Sequence, residues 1–225
     1  MYKTLKITGD ENEIRFTSDN HHFHNKEFLW GKRGFKDVTE HHEALVAGWN
    51  RVCNENTIVF HLGDFIFGDP EGKLFYQVID RLIFKELYLL TGNHNSGQRA
   101  AYYTKLLQAF PNAEVDNFEV YPLRTVINGK NVTFLSSYAE ISINRQNVVL
   151  CHYPIASHSG LANGTIHIAG HAHGNYKGTH PSTSTTKCMD VGVEVIGVEP
   201  ITFKSIKRGL ENKGTVGPDH HGQKE

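Results

Sequence analysis

The sequence predicts an α/β fold with largely parallel central strands. Three observations carry that prediction. Short apolar, β-branched runs alternate with amphipathic helical stretches through the N-terminal half. Several of those runs end in glycine beside Asp, Asn or His, and sites in open α/β sheets form beyond the carboxyl ends of strands. The second half holds shorter β-like runs separated by turn signals, which read as antiparallel.

Taken in order, Met1 to Asn12 is polar and reads as a lead-in or an edge strand. Glu13 to Thr17 is the first strand, running into Ser18-Asp19-Asn20-His21 and then His22-Phe23-His24. Asn25 to Lys36 is a loop with Lys26, Lys32, Arg33 and Lys36. It reads as a solvated face or as a reach toward substrate phosphate, with Arg33 the better candidate because its planar fork suits phosphate oxygens. Asp37 offers an N-cap with Glu40 as its capping-box partner. Leu45, Val46 and Trp49 give Glu40 to Cys53 a helical apolar stripe, with His41 and His42 on the exposed side. Asn56 to Leu62 is a buried strand ending in Gly63-Asp64. Leu74, Val78, Ile79 and Leu82 mark an amphipathic helix from Gly72 to Leu82. Glu86 to Leu90 is the next strand, ending in Thr91-Gly92-Asn93-His94-Asn95, and a helix from Ser96 to Phe110 closes at Pro111.

Glu114 to Val120, Leu123 to Ile127, Val132 to Leu135 and Tyr138 to Ile143 are short β-like runs. Asn128-Gly129 is a hairpin turn, and Asn144 to Asn147 is a second turn. Val148 to Cys151 is a buried strand ending in His152-Tyr153-Pro154, and Ser157 to Gly164 is a polar loop. Ile166 to Ala169 is another buried strand, ending in Gly170-His171-Ala172-His173-Gly174. Lys187 to Val193 and Val195 to Val198 read as the final strands, and Ile201 to Leu210 as a short helix. No repeat, low-complexity tract or linker divides the chain, so residues 1–210 read as one domain and 211–225 as a frayed tail.

Composition narrows the function. The net charge of -1 leaves no overall basic field to hold nucleic acid or a membrane surface. Cys53, Cys151 and Cys188 form no CxxC pair, which argues for a reducing compartment rather than a disulfide scaffold. Met1 to Asp10 has no apolar signal-peptide core, and no apolar run reaches membrane-span length, so the expected location is cytoplasmic. Histidine is the outlier, with 15 copies.

Neutral imidazole is the commonest metal-ligand side chain. His171 and His173, two residues apart where a strand runs out, can project the same way because strand side chains alternate. Asp19 and His21 share that spacing, and a carboxylate beside an imidazole suits a divalent transition metal. Alone, the Asp19 motif reads rather as an Asx-turn with incidental surface histidines. Together, Asp19, His21, Asp64, Asn93, His94, His152, His171 and His173 stand at the ends of apolar strands. Such groups would repel or go unsatisfied without a common purpose.

This ordered set resembles the calcineurin-like metallophosphoesterase family from Phe16 to about Val198. Thr17-Ser18-Asp19, His61-Leu62-Gly63-Asp64 and Cys151-His152-Tyr153-Pro154 look most like its small bacterial and phage phosphohydrolases. The resemblance implies two mixed β-sheets packed face to face with helices outside, and a site for two metals. One would be held by Asp19, His21, Asp64 and His173, the other by Asp64, Asn93, His152 and His171, with Asp64 bridging. His94 would serve the leaving oxygen as proton donor. Two divalent ions about 3.5–4 Å apart clamp the attacking and leaving oxygens of an in-line displacement and supply hydroxide at neutral pH. Nitrogen and oxygen ligands without cysteine suit Mn, Fe or Zn.

The sequence departs from the family at Asn95, where an acid commonly follows His94, and in carrying His22 beside His21. His158, in the polar loop, is a second candidate for substrate contact. His167 reads as a core residue, Cys151 as an inert buried thiol, and His180, His220 and His221 as surface or tail residues. The expected function is hydrolysis of phosphate mono- or diesters, on a small substrate such as a nucleotide rather than long nucleic acid. A non-catalytic protein-interaction scaffold on the same fold, and a mononuclear hydrolase of other esters, are the alternatives.

Overall fold

The computed structural model describes residues 4–69, 72–94, 122–179 and 184–215. The strands are β1 (Leu5–Ile7), β2 (Ile14–Thr17), β3 (Ile58–His61), β4 (Glu86–Leu89), β5 (Leu123–Ile127), β6 (Lys130–Phe134), β7 (Tyr138–Ile143), β8 (Gln146–Cys151), β9 (Ile166–Ala169), β10 (Cys188–Asp190) and β11 (Ile201–Thr202). The helices are α1 (Glu27–Trp30), α2 (Val38–Val52), α3 (Lys73–Arg81), α4 (Val193–Ile196) and α5 (Phe203–Leu210). A six-stranded sheet runs β11-β2-β3-β4-β6-β5 and a five-stranded sheet runs β1-β7-β8-β9-β10. Both are mixed, as the resemblance implies. The expected helix 96–110 and strand 114–120 lie outside the described residues, as do His180, His220, His221 and most of the tail.

Apolar alternation explains the layers. In the six-stranded sheet, Phe16, Phe60 and Tyr88 are register partners on neighbouring strands, and their rings stack at 5.1 and 4.6 Å. They face Ile141, Val148, Leu150, Ile166 and Ile168 of the other sheet in one buried core. The opposite face presents Val59, Leu87, Leu89, Val132 and Phe134 to α2 and α3. Phe203, Ile206 and Leu210 of α5 enter the core between the sheets. Among the described residues, no helix is long and apolar enough to cross a membrane.

The elements differ from expectation in ways that have local causes. Met1 to Asn12 contributes the edge strand β1, parallel to β7. The hairpins at Asn128-Gly129 and Asn144-Arg145 form with left-handed residues at both turn positions. But the second half is not simply antiparallel, because β8, β9 and β10 run parallel to one another and β6 runs parallel to β4. Hairpin turns are legible; crossovers through polar loops are not.

In α2, the Asp37 side chain caps Glu40 N at 2.8 Å, while Glu40 reaches back to Lys36 N. His41 and His42 are buried, not exposed. They extend the Leu45, Val46, Trp49 stripe backward by one helical turn, so they share its face. Val195 to Val198 is not a strand. Val193 to Ile196 forms one helical turn between Gly192 and Gly197, with Gly197 at φ 81°. Ile201 and Thr202 pair with β2 before α5 begins, capped by Thr202 on Ser205 N.

Phe60 is fully buried between two stacked rings. Phe60→Ala is expected to destabilise the protein by about 3–5 kcal/mol, through lost burial plus a cavity. Urea unfolding checks this, and a loss under ~1 kcal/mol would mean the two sheets can close over the gap.

Candidate metal centre

The parallel registers bring three strand ends level, with Thr17 opposite His61 and His61 opposite Leu89. Asp19, Asp64 and Asn93 follow those ends. On the facing sheet, His152 follows β8, and His171 and His173 follow β9. One rim therefore collects side chains from both sheets.

Backbone hydrogen bonds fasten the rim. Asp19 N donates to Gly63 O (3.1 Å), His21 N to Asp64 O (2.9 Å) and His22 N to Phe65 O (3.1 Å). Gly170 N donates to His152 O within the second sheet, and Val193 N donates to Ser18 O, which ties that sheet to the first. Asp190 accepts from Gly174 N and Gly192 N, bracing the loop of His171 and His173.

Asp19, His21, Asp64, His171 and His173 all have positive φ, from 48° to 64°. They are five of the nine non-glycine residues so placed among the described residues. Such backbone costs on the order of 1–3 kcal/mol per residue and clusters at functional sites. His171 and His173 therefore do not converge by strand alternation, as the sequence reading supposed. β9 has ended, and a left-handed turn aims them. Space is equally constrained. A Cβ on Gly92 would strike the Asp64 carboxylate, and one on Gly170 would strike Ser18 and lie 2.6 Å from Asp19 Oδ2.

The structure brings all seven expected ligands together. Ligand atoms of Asp19, His21 and His173 lie within 4.8 Å of one another, as do those of Asp19, Asp64 and His152. Asn93 Oδ1 joins the cluster at 2.8 Å from His152 Nε2 and 3.0 Å from His171 Nδ1. The donor chemistry asks for a cation. Asp19 Oδ1 and both ring nitrogens of His21 are buried without a hydrogen-bond partner. His152 Nδ1–H donates to Leu62 O at 2.9 Å, which leaves Nε2 as a lone pair. That lone pair faces Asn93 Oδ1 at 2.8 Å and Asp64 Oδ2 at 3.5 Å. Only a proton or a metal ion reconciles three electron-pair donors so close, so the residues present fit a divalent metal site.

The electrostatics are uneven. Burial raises Asp19 to about 6, opposed by the charges of His152 and His173. Burial also pushes Asp64 upward, but a proton on His152 Nε2, through its hydrogen bond and charge, together with the charge of His21 and the amide of His94, brings it down to about 2. Burial lowers His21 to about 2. His173 is raised, chiefly by its 2.7 Å hydrogen bond to Glu194.

Other histidines separate cleanly. His22 turns inward onto His42, at 2.9 Å between Nδ1 atoms, and leaves the rim to His21. His167 is a satisfied core residue, accepting from Ile155 N and donating to Val149 O. His158 lies tilted against His167, 5.2 Å between ring centroids. His94 is exposed at the rim, its ring 5.6 Å from that of His21, and its amide donates to Asp64 Oδ1 at 2.7 Å. Asn95 lies outside the described residues. Cys151 is buried and unpaired by disulfide, and burial raises its thiol.

Arg33 corrects an expectation. Its side chain is 3% exposed, and its five N–H groups are all given to Glu194, Asp19 O, Asn20 O and His41. No donor remains for a substrate phosphate. Glu194 is a functional residue the sequence does not single out, since it sits at the break between two strand-like runs. Its only signal was an acid inside an apolar Val-rich segment.

Known proteins resemble this chain in sequence and in fold. A family model described as calcineurin-like phosphoesterase matches residues 13–196. An uncharacterized protein of Methanocaldococcus jannaschii, MJ1445, is 25% identical over 205 residues, covering 91% of this chain and 94% of that one. The crystal structure of AQ665 from Aquifex aeolicus, a protein of unknown function, superposes with a TM-score of 0.57 at 19% identity. It covers 87% of this chain and 97% of the other, and it speaks for the fold alone.

Burial also holds His61 down to about 3 and His167 to about 4. The unfolded chain protonates both near pH 6.5, so their stability is fully present above that pH and is lost as pH falls toward 4. Metal-free protein is expected to lose on the order of 1–2 kcal/mol per buried histidine between pH 7 and pH 5. Denaturant titrations at the two pH values check this, and equal midpoints would contradict it.

Proposed function

The chain belongs to the calcineurin-like phosphoesterase family, and from that premise we propose that it is a dinuclear-metal phosphoesterase acting on small phosphate mono- or diesters. The observation that carries the reading is the rim itself. Two carboxylates, an amide oxygen and four imidazoles converge there, with buried donor atoms that no protein group satisfies. Asp19, His21, Asp64 and His173 would hold one ion. Asp64, Asn93, His152 and His171 would hold the other, and Asp64 is shared. When bound, the ions neutralise phosphoryl charge and make hydroxide available near neutral pH. Nitrogen and oxygen donors favour Mn, Fe or Zn.

The chain's own residues supply the rest. Asp64 is aimed by a left-handed backbone and by the His94 amide, so it sits between the two groups of ligands. His152 is locked with Nε2 inward by the Leu62 carbonyl. Water attacks phosphorus directly. The new P–O bond forms as the ester P–O bond breaks, and no covalent enzyme intermediate arises. His94, exposed beside the cluster, gives the departing oxygen its proton. A net charge of -1 supports a small substrate over a long polyanion. Three buried cysteines without a disulfide support a cytoplasmic setting.

Elemental analysis is expected to find two divalent ions per chain, with Mn²⁺-dependent turnover of bis-p-nitrophenyl phosphate or p-nitrophenyl phosphate. A chain that takes up no metal and stays inactive with Mn²⁺ would instead favour a scaffold role. Asp64→Asn should lower turnover by at least a hundredfold, and unchanged turnover would sink the shared-ligand mechanism.

His94→Ala should slow esters with poor leaving groups far more than p-nitrophenyl esters. An equal loss across leaving groups removes His94 as proton donor.

A further inference from the structure

We propose that Glu194, gripped by Arg33, is a positioning residue that fixes His173 and thereby governs one of the two metal positions selectively. The inference rests on the dinuclear reading above and adds a residue outside the ligand set. Glu194 Oε1 lies 2.7 Å from His173 Nδ1, 2.9 Å from Arg33 Nε and 2.7 Å from Arg33 Nη2. An ionised carboxylate only accepts hydrogen bonds, so Nδ1 of His173 carries the proton and Nε2 is left as the donor atom. A ring held this way cannot present the wrong nitrogen. Hydrogen-bonded carboxylates behind metal-binding imidazoles typically contribute 10–100-fold in metal affinity.

Arg33 makes the arrangement more than a surface pair. Its guanidinium also donates to Asp19 O at 2.7 Å and Asn20 O at 3.1 Å. Those carbonyls lie within the turn that carries Asp19 and His21, both left-handed. Nη1 contacts His41 Nε2 at 2.8 Å, and because arginine only donates, His41 must accept there. One buried cation therefore ties the acid behind His173 to the backbone of Asp19 and His21. Lysine cannot reproduce this fork.

The other position is braced differently, because a backbone carbonyl, Leu62 O, and not a carboxylate stands behind His152. Asn93 and His171 are exposed, and they lean on each other at 3.0 Å. A change at Glu194 should therefore fall on the Asp19–His21–His173 position and spare the Asn93–His152–His171 position. A general loosening of the fold would not discriminate between them.

The test is a Mn²⁺ titration of the full chain by electron paramagnetic resonance and elemental analysis, for wild type, Glu194→Gln and Arg33→Lys. The wild type should show the spectrum of a coupled Mn²⁺ pair. Glu194→Gln is expected to weaken one affinity about 10–100-fold and leave the other in place, so that isolated Mn²⁺ replaces the pair at equal total metal. Arg33→Lys should weaken the same position. If Glu194→Gln folds poorly in thermal melts, Glu194→Asp keeps the charge but withdraws it by one methylene, and it must weaken that position alone. Unchanged affinities, or equal loss at both positions, overturn the proposal. A wild type that binds only one ion overturns the dinuclear reading first, before any variant is compared.

Discussion

Two carboxylates, Asp19 and Asp64, stand side by side with almost no exposed surface, and much of the rim is arranged around that fact. Removing two like charges from water is costly unless donors and opposite charge surround them. Backbone amides of His171 and His94 reach one each. Imidazoles approach from both sheets. Yet Asp19 Oδ1 stays unpartnered, and burial holds Asp19 far above an ordinary carboxylate. A protein that wanted only stability would bury apolar groups here instead. The unbalanced residue of charge is what makes a cation the natural completion of the rim.

The same constraint shapes the backbone. Gly63, Gly92 and Gly170 bring main chain so close to the acids or to His152 that a methyl group has no room. Left-handed Asp and His carry the side chains inward at the expense of local comfort, and a well-packed core on either side sustains the strain.

The strands, the two hairpins and the residues of the rim were largely legible in the sequence, because each rests on local signals. Apolar runs ending in glycine and a polar group marked Asp19, Asp64, Asn93 and His152. Positions 128 and 129 carried their turn in their residue types. What could not be read was anything decided across the chain. His41 and His42 look polar, but helical geometry puts them on the buried face. Val195 and Ile196 have strand propensity, but flanking glycines and the bond from Val193 N to Ser18 O wind them into a turn. Arg33 looked free because its partners lie at Asp19, Asn20, His41 and, far along the chain, Glu194. The cause of the convergence of His171 and His173 is equally hidden in the sequence, since positive φ leaves no trace in a residue pair.

The rim is drawn from both halves of a sandwich. Asp19, Asp64 and Asn93 come from one sheet, and His152, His171 and His173 from the other. Phe16, Phe60, Tyr88, Leu150 and Ile168 fill the space between them. The thickness of that apolar filling is therefore a calliper, whose jaws open onto the chemistry. Substitutions in the filling are screened for fit and also for the span they set between opposing donor groups. The oily interior of this protein thus carries information about its reactive edge, at residues that never touch it.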